Sequence, residues 1–255
     1  MRAIIFAAQE LIMRKLLLAP FVLLATISVI AQTTTTTKTK KTYDLVSRAG
    51  DHFMFQVAHN NWNGAPDSIS SRIHSFNRSA NAYLMLDKPF KSDRRFSVGL
   101  GVGVGTSNIY FKKTTVDIGG TTKDLRFINT DTSSHYKKYK LSTAYAEVPL
   151  ELRFTANPSN PNKSLKAAIG VKIGTLVNAH TKGKTLQNAA GSTINSQILK
   201  INSKSYFNTT RIAATARVGY GVFSLFGAYN LTTMFKDGVA ADVKLLQVGI
   251  TVSGL

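Results

Sequence analysis

The feature that most constrains this chain is an alternation of side-chain types with a period of two. It is clearest in FSVGLGVGVG, residues 96–105, where the even positions are large and apolar and the odd positions are serine or glycine. Because successive side chains of a strand point to opposite faces, one face here is apolar and the other is nearly bare. A soluble sheet would carry polar side chains on the second face, whereas very small ones suit the crowded interior of a narrow barrel.

The same alternation recurs along the rest of the chain and predicts eight strands in all. With its flanks, each stretch has about the length that a tilted membrane-spanning strand requires, roughly 9–11 residues. The seven further stretches are residues 53–57, 80–86, 144–154, 165–173, 212–218, 223–231 and 246–252.

The connections between these strands alternate between short and long. The second, fourth and sixth are tight turns rich in Pro, Asn, Asp or Gly, whereas Thr106–Lys138 and Ala179–Asn208 are the longest. All long connections therefore leave from one end, which is typical of an all-β, eight-stranded, antiparallel up-and-down transmembrane β-barrel with short periplasmic turns, longer external loops and both termini in the periplasm. A soluble periplasmic ligand-binding barrel is the alternative fold.

Aromatic residues near the strand ends predict two girdles at the membrane interfaces. One consists of Phe90, Phe96, Phe154, Tyr220 and Phe223, and the other of Tyr110, Phe111, Tyr136, Tyr139, Tyr206, Phe207 and Phe235.

The N-terminal part has the pattern of a targeting segment. Arg14 and Lys15 precede fifteen uncharged residues, and the small Ala31 before Gln32 marks a signal-peptidase cleavage site. We therefore expect residues 1–31 to be a signal peptide, with Met13 as the true start, and export to the outer membrane. Residues 32–50 form a Thr- and Lys-rich disordered tether, and residues 51–255 the barrel domain.

Three segments resemble the PorT-like outer-membrane β-barrel family of Gram-negative bacteria: YAEVPLELRF (145–154), AIGVKIG (168–174) and RVGYGVFSLFGAYNLTTMFKDG (217–238). The resemblance implies an eight-stranded barrel and allows membership of a secretion apparatus. The chain departs from outer-membrane proteins in general at its end, where Gly254 takes the last outward position instead of an aromatic residue. The outer-membrane assembly machinery, an expected partner, would therefore have to recognise this strand end without a terminal aromatic residue.

Motifs for catalysis or cofactor binding are missing from the sequence. The chain has no cysteine, its five histidines are scattered, and HExxH, GxSxG and Walker motifs do not occur. The glycines of residues 99–105 have a period of two and do not form a dinucleotide fingerprint. The one local cluster of triad-type residues, Asp131, Ser133, Ser134 and His135, is interpreted as a polar loop. We therefore expect a protein that is not an enzyme and has no cofactor or metal.

The formal net charge of +19 indicates an anionic partner, either nucleic acid or a charged membrane surface. Seven charged residues have lumen parity, which predicts a salt-bridge network, with a narrow anion-favouring path as the alternative; they are Glu147, Glu151, Arg153, Lys166, Lys172, Arg211 and Arg217. Three cations, Arg78, Lys140 and Lys244, have outward parity near the external strand ends, where they would meet lipopolysaccharide phosphates or simply snorkel to the interface. Spread over both ends and the lumen, the charge does not indicate nucleic-acid binding.

These observations favour a structural or interaction role in the outer membrane, exerted through the external loops. Membership of a secretion apparatus and a small porin-like channel are the alternatives. The expected partners are outer-membrane lipid with lipopolysaccharide, the assembly machinery and, in the second case, secretion-apparatus proteins.

Overall fold

The computed structural model describes residues 52–253. The predicted signal peptide, its cleavage site at Ala31 and Gln32, the tether and the terminal Gly254 lie outside these residues. None of the helices within residues 52–253 is long and apolar enough to cross a membrane.

The described chain is built almost entirely from strands. In chain order the elements are β1 (Phe53–Asn63), α1 (Asp67–Ser70), β2 (Arg78–Pro89), β3 (Phe96–Phe111), β4 (Thr114–Asp117), β5 (Arg126–Asn129), β6 (His135–Thr155), a 3-10 turn (Pro161–Lys163), β7 (Leu165–Gln187), β8 (Thr193–Asn202), β9 (Thr210–Tyr220), β10 (Phe223–Asn230) and β11 (Lys244–Ser253).

Eight of these strands close into an antiparallel barrel. The order is β6-β3-β2-β1-β11-β10-β9-β7, and β7 pairs with β6 to complete the ring. All eight coincide with the predicted alternating stretches, so the predicted fold class is confirmed. Residues 90–95, 156–164 and 221–222 connect strands at one end, called here the short-turn end, and the longer connections lie at the other, the long-loop end.

The barrel wall has apolar side chains outside and polar ones inside, the inverse of a soluble barrel. On β6, outward Val148, Leu150 and Leu152 alternate with buried Glu147, Glu151 and others. The outward apolar positions of this strand run over the ten residue steps from 144 to 154, roughly 33 Å along the strand. At a tilt of about 40° they span about 25 Å of the barrel axis, the height of the lipid-facing band of outer-membrane barrels.

The connections at the long-loop end contain more regular structure than predicted. β6 has 21 residues and β7 has 23, so both continue well past the apolar band into the stretches expected to be loops. β4 and β5 form a hairpin within the first of those stretches, and β8 pairs with the protruding part of β7 within the second. The strands continue because their inward side chains, including Tyr139 and Leu141, pack against folded loops instead of ending at the membrane.

A bulge in β7 changes which residues face outward. The pairing with β6 slips between Ala144 and Tyr145, so that Ala144 pairs with Asn178 and Tyr145 with Leu176. One residue of β7 is thereby inserted, and the inward positions change from even numbers below the bulge to odd numbers above it.

The predicted girdle at the long-loop end is largely wrong. At the short-turn end Phe90, Phe96, Tyr220 and Phe223 are exposed, as an interfacial girdle requires. At the other end Phe111, Tyr139, Tyr206, Phe207 and Phe235 are buried, because they have inward parity or lie on loops that fold over the opening. They form the core of a compact cap, in which Trp62 contacts the rings of Phe111 and Phe235 edge-on.

Candidate functional site

The lumen contains two ionic centres, and the first is built around Glu147 of β6. Its carboxylate accepts hydrogen bonds from Arg211 of β9 and from the Tyr83 hydroxyl of β2, and Lys172 Nζ of β7 lies 3.9 Å from Oε2. The Arg211 guanidinium also lies 4.2 Å from the centre of the Tyr145 ring. Glu147 is only 2% exposed, so its charge depends on these partners.

The second centre is built around Glu151, four residues further along β6 towards the short-turn end. Its Oε2 accepts hydrogen bonds from Arg153 Nε at 2.9 Å and from Arg217 Nη2 at 3.1 Å. Arg153 Nη1 lies 3.6 Å from Asp87 Oδ1, which in turn accepts a hydrogen bond from Ser97. The remaining lumen-parity residue, Lys166, is buried where β7 faces Thr155 of β6 and Gly219 of β9.

Sequence reasoning missed Asp87 and Tyr83 as members of these centres. Both have the inward parity of β2, with Met85 between them, and this was the available signal. The stretch containing Asp87 reads as a tight turn, although β2 continues to Pro89.

Glycines on β3 make room for the ionic side chains. A Cβ atom at Gly105 would lie 2.5 Å from Glu147 Oε2 and 2.8 Å from Arg211 Nη2. A Cβ at Gly99 would lie 2.5 Å from Arg153 Nε. The bare inward face of this strand is therefore the complement of the long charged side chains that cross the lumen from β6 and β9.

The other side of the lumen is filled by neutral polar side chains. Asn60 donates to Ser107 Oγ at 2.9 Å and accepts from Gln247 at 3.3 Å. Gln56 donates to Thr251 at 3.2 Å and accepts from Asn81 at 3.2 Å. A cavity between the two sides, lined by Met54, Gln56, Glu151, Lys172 and Arg217 among others, measures about 10 Å³. That volume is about the minimum for one water molecule.

The cap closes the barrel above the ionic centres. Val116 of β4 exchanges hydrogen bonds with the Tyr139 hydroxyl, at 3.0 Å from its amide and 2.9 Å from its carbonyl. The Tyr206 hydroxyl donates to the carbonyls of Gly120 and Thr122. Asn208 Nδ2 donates to the Phe235 carbonyl at 2.8 Å, which joins the β8–β9 and β10–β11 connections. The four connections of the long-loop end thus contribute residues to one buried cluster instead of leaving an open mouth.

Two of the three predicted outward cations come together on the outside of the barrel. Arg78 Cζ lies 5.6 Å and Lys140 Nζ 5.9 Å from the centre of the Tyr110 ring, and Lys140 donates to Asn108 Oδ1 at 2.7 Å. Lys244 lies apart from them on β11, where it pairs with Asn63 of β1.

The candidate triad residues do not assemble. Asp131 pairs with Arg72 at 2.7 Å, and His135 Nδ1 lies 3.3 Å from the Ser133 carbonyl. The hydrogen bond from the Arg72 guanidinium lowers the pKa of the Asp131 carboxyl. Within residues 52–253, no group of three or more His, Asp or Glu side chains is placed to hold a metal ion.

Comparison with known proteins gives one match. A family model described as "Outer membrane protein beta-barrel domain" matches residues 38–236, more than three quarters of the chain. The match covers the barrel from β1 to β10, and β11, which pairs with both of them, follows it. A search of curated proteins finds no match.

Proposed function

The chain belongs to the outer membrane protein beta-barrel domain family, and from this premise we propose that it is a non-enzymatic, non-conducting outer-membrane barrel that binds other proteins through its long-loop end. The observation that carries the proposal is the combination of a filled lumen and a sealed mouth, because together they leave the outer surfaces and the loops for function.

The lumen argues against a transport path. A solute would have to displace Glu147, Glu151 and their cationic partners, each of which is at most 8% exposed. It would also have to pass the cap, where the centre of the Trp62 ring lies 5.6 Å from that of Phe111 and 5.8 Å from that of Phe235. Eight-stranded barrels have room for side chains and little else, which agrees with this interpretation.

The long-loop end offers a surface suited to protein contacts in the hairpin of β7 and β8. Within residues 52–253, β8 pairs with β7 on one edge and with no strand on the other. Every residue of β8 is exposed, including Ile194 and Ile198 at 56% each. An exposed, apolar edge strand is a template for the addition of a strand from another chain. Its β-structure and its length distinguish this hairpin from an ordinary solvated loop.

Labelling in intact cells tests the orientation. The chain has no cysteine, so Ser196→Cys in β8 and Ser159→Cys in a short turn each introduce a unique thiol. We expect a membrane-impermeant maleimide to label Ser196→Cys in intact cells, and Ser159→Cys only after the outer membrane has been permeabilised. The reverse pattern would contradict an external long-loop end.

Conductance and cross-linking test the function itself. Planar bilayers containing the folded protein should show no single-channel steps, and defined steps would overturn the non-conducting barrel. A cleavable cross-linker attached at Ser196→Cys should capture a protein partner that the same reagent at Ser159→Cys does not capture. Ile198→Ser should reduce that capture, since it removes apolar contact from the free strand.

The resemblance of residues 145–154, 168–174 and 217–238 to the PorT-like family supports a narrower version of the same role, membership of a secretion apparatus. In that version the captured partner is itself a component of the export machinery, and loss of the barrel blocks secretion. A partner without any link to export would leave the general interaction role and remove the narrower one.

A further inference from the structure

The outer face of the barrel above its apolar band carries a cluster of cations that sequence parity only partly revealed. In addition to Arg78 and Lys140 it includes Lys182 and Lys184 of β7, Lys200 of β8 and Lys138 of β6. We call these six residues the outer cationic patch. Lys182 and Lys184 face outward because the bulge in β7 reverses the parity of the strand above it.

The register places lysines directly opposite one another. Lys140 pairs with Lys182, Lys138 pairs with Lys184, and Lys182 pairs in turn with Lys200. Like charges in direct cross-strand pairs destabilise a sheet. Within residues 52–253 none of the six forms an ion pair, so the patch lacks the acidic partners that accompany the arginines of the lumen.

The clustered charges affect the protonation of Lys140, the residue at the centre of the patch. Partial burial, and then the neighbouring charges of Lys182, Arg78 and Lys200, lower the pKa of Lys140. A groove of about 150 Å³ between β3, β6 and β7 is lined by residues that include Tyr110 and four of the patch lysines. Aromatic rings beside cations are typical of the interfacial layer of a membrane.

The height of the patch agrees with a lipid headgroup layer. Lys140 lies four residues beyond Ala144, the last outward position of the apolar band on β6, or roughly 13 Å along the strand and 10 Å along the barrel axis. Long lysine side chains reach back towards the band from this height. An anion bound here would therefore sit directly above the acyl chains.

We propose that the outer cationic patch binds the phosphate groups of a phosphorylated glycolipid in the leaflet around the long-loop end. The proposal rests on the proposed orientation of the barrel. The phosphates supply negative charge to balance the facing lysines, and the ring of Tyr110 lies in the same groove beside the sugar-bearing headgroup.

Lipid retention tests the proposal. The folded full-length barrel is placed in phosphatidylcholine discs doped with diphosphoryl lipid A, and the lipid retained after transfer to detergent is measured by mass spectrometry. Each surface-adjacent cation contributes enough to membrane attraction that Lys140→Gln with Lys182→Gln should weaken retention roughly 10- to 30-fold. Retention should also fall with added salt.

Matched variants and probes make the result decisive. Lys244→Gln lies at the same end but outside the patch, and Lys91→Gln with Lys163→Gln removes two charges at the short-turn end; both should retain the lipid. Fully dephosphorylated lipid A should not be retained, and inorganic phosphate at the same phosphate concentration should not compete.

Equal retention of the dephosphorylated lipid, full competition by inorganic phosphate, or equal loss in the control variants would each overturn the proposal. The shift in gel mobility between folded and heated samples verifies that every variant is folded. Should Lys140→Gln with Lys182→Gln fail to fold, Lys138→Gln with Lys184→Gln tests the same patch. The labelling and conductance experiments test the proposed function and do not depend on lipid binding. A failure of lipid binding would therefore not change their outcomes.

Discussion

Removing the negative charge of Glu147 is the sharpest test of what holds the lumen together. Glu147→Gln keeps the size of the side chain and its capacity for hydrogen bonding, but it leaves Arg211 and Lys172 without their carboxylate. Breaking a buried ion pair by removing one partner costs about 3–5 kcal/mol. The ring of Tyr145 still faces Arg211, so we expect a loss near the lower end, about 3 kcal/mol.

The assay is urea unfolding of the barrel in lipid vesicles, followed by the gel mobility of unheated samples. Asp93→Asn is the matched control, because it removes a carboxylate from a solvent-exposed pair with Arg95 at 2.9 Å, and solvent screens such pairs so that they contribute little to stability. Adding Arg211→Met to Glu147→Gln should recover part of the loss, because the uncompensated cation is then gone. A loss for Glu147→Gln no greater than that for Asp93→Asn would refute the idea that the ionic centres stabilise the barrel.

Three further predictions follow from close contacts. Gly105→Ala should destabilise the barrel by about 1–3 kcal/mol, because the added methyl group crowds the Glu147 carboxylate. Gly227→Ala is the control: its Cβ would meet nothing closer than 4.0 Å, so the urea midpoint should stay unchanged or rise. Equal losses in the two variants would contradict the steric argument. Phe235→Ala should shift the fluorescence of Trp62, the single tryptophan, to longer wavelength by admitting water to the cap, and an unchanged spectrum would contradict a dry cap. In the wild type, hydrogen exchange in residues 64–77 should become faster as the pH falls below about 4. The pKa of the Asp131 carboxyl is depressed in the folded state, so its stabilising contribution is present above about pH 4 and is lost as the pH falls further. Asp131→Asn should abolish this pH effect, and identical pH profiles of variant and wild type would contradict the prediction.

The barrel itself could be predicted from the sequence because its determinants are local. Alternation along each strand fixes which side chains face lipid, and the turn residues fix where strands end. The bare face of residues 96–105 indicated a crowded lumen, and Gly99 and Gly105 do lie against Arg153 and Glu147. Parity along single strands was sufficient for this because the membrane demands the same pattern from every strand.

The cap and the outer cationic patch could not be predicted in this way, because both depend on where the strands lie relative to one another. Phe207 and Phe235 have the aromatic character of a girdle, and only the folding of the loops over the opening shows that they are buried. Lys182 has the parity of a lumen residue when counted from Leu165, and the bulge near Val177 moves it to the outside. A single inserted residue thus separates the two basic clusters of β7.

The distribution of acidic residues distinguishes the cations that serve folding from those that serve binding. Inside the barrel, Arg153 and Arg217 share the Glu151 carboxylate, so the charges there contribute to folding. Outside, Lys182 lies between Lys140 and Lys200 with no acidic partner in the described part of the chain, which favours binding over folding as the reason for these lysines. Lys182→Glu should therefore stabilise the barrel in zwitterionic detergent by about 1 kcal/mol, since it replaces two like-charge pairs with opposite ones, and at the same time reduce lipid A retention below that of Lys182→Gln. A barrel that loses stability on this substitution and retains the lipid would show that the facing lysines belong to the fold and not to a phosphate site.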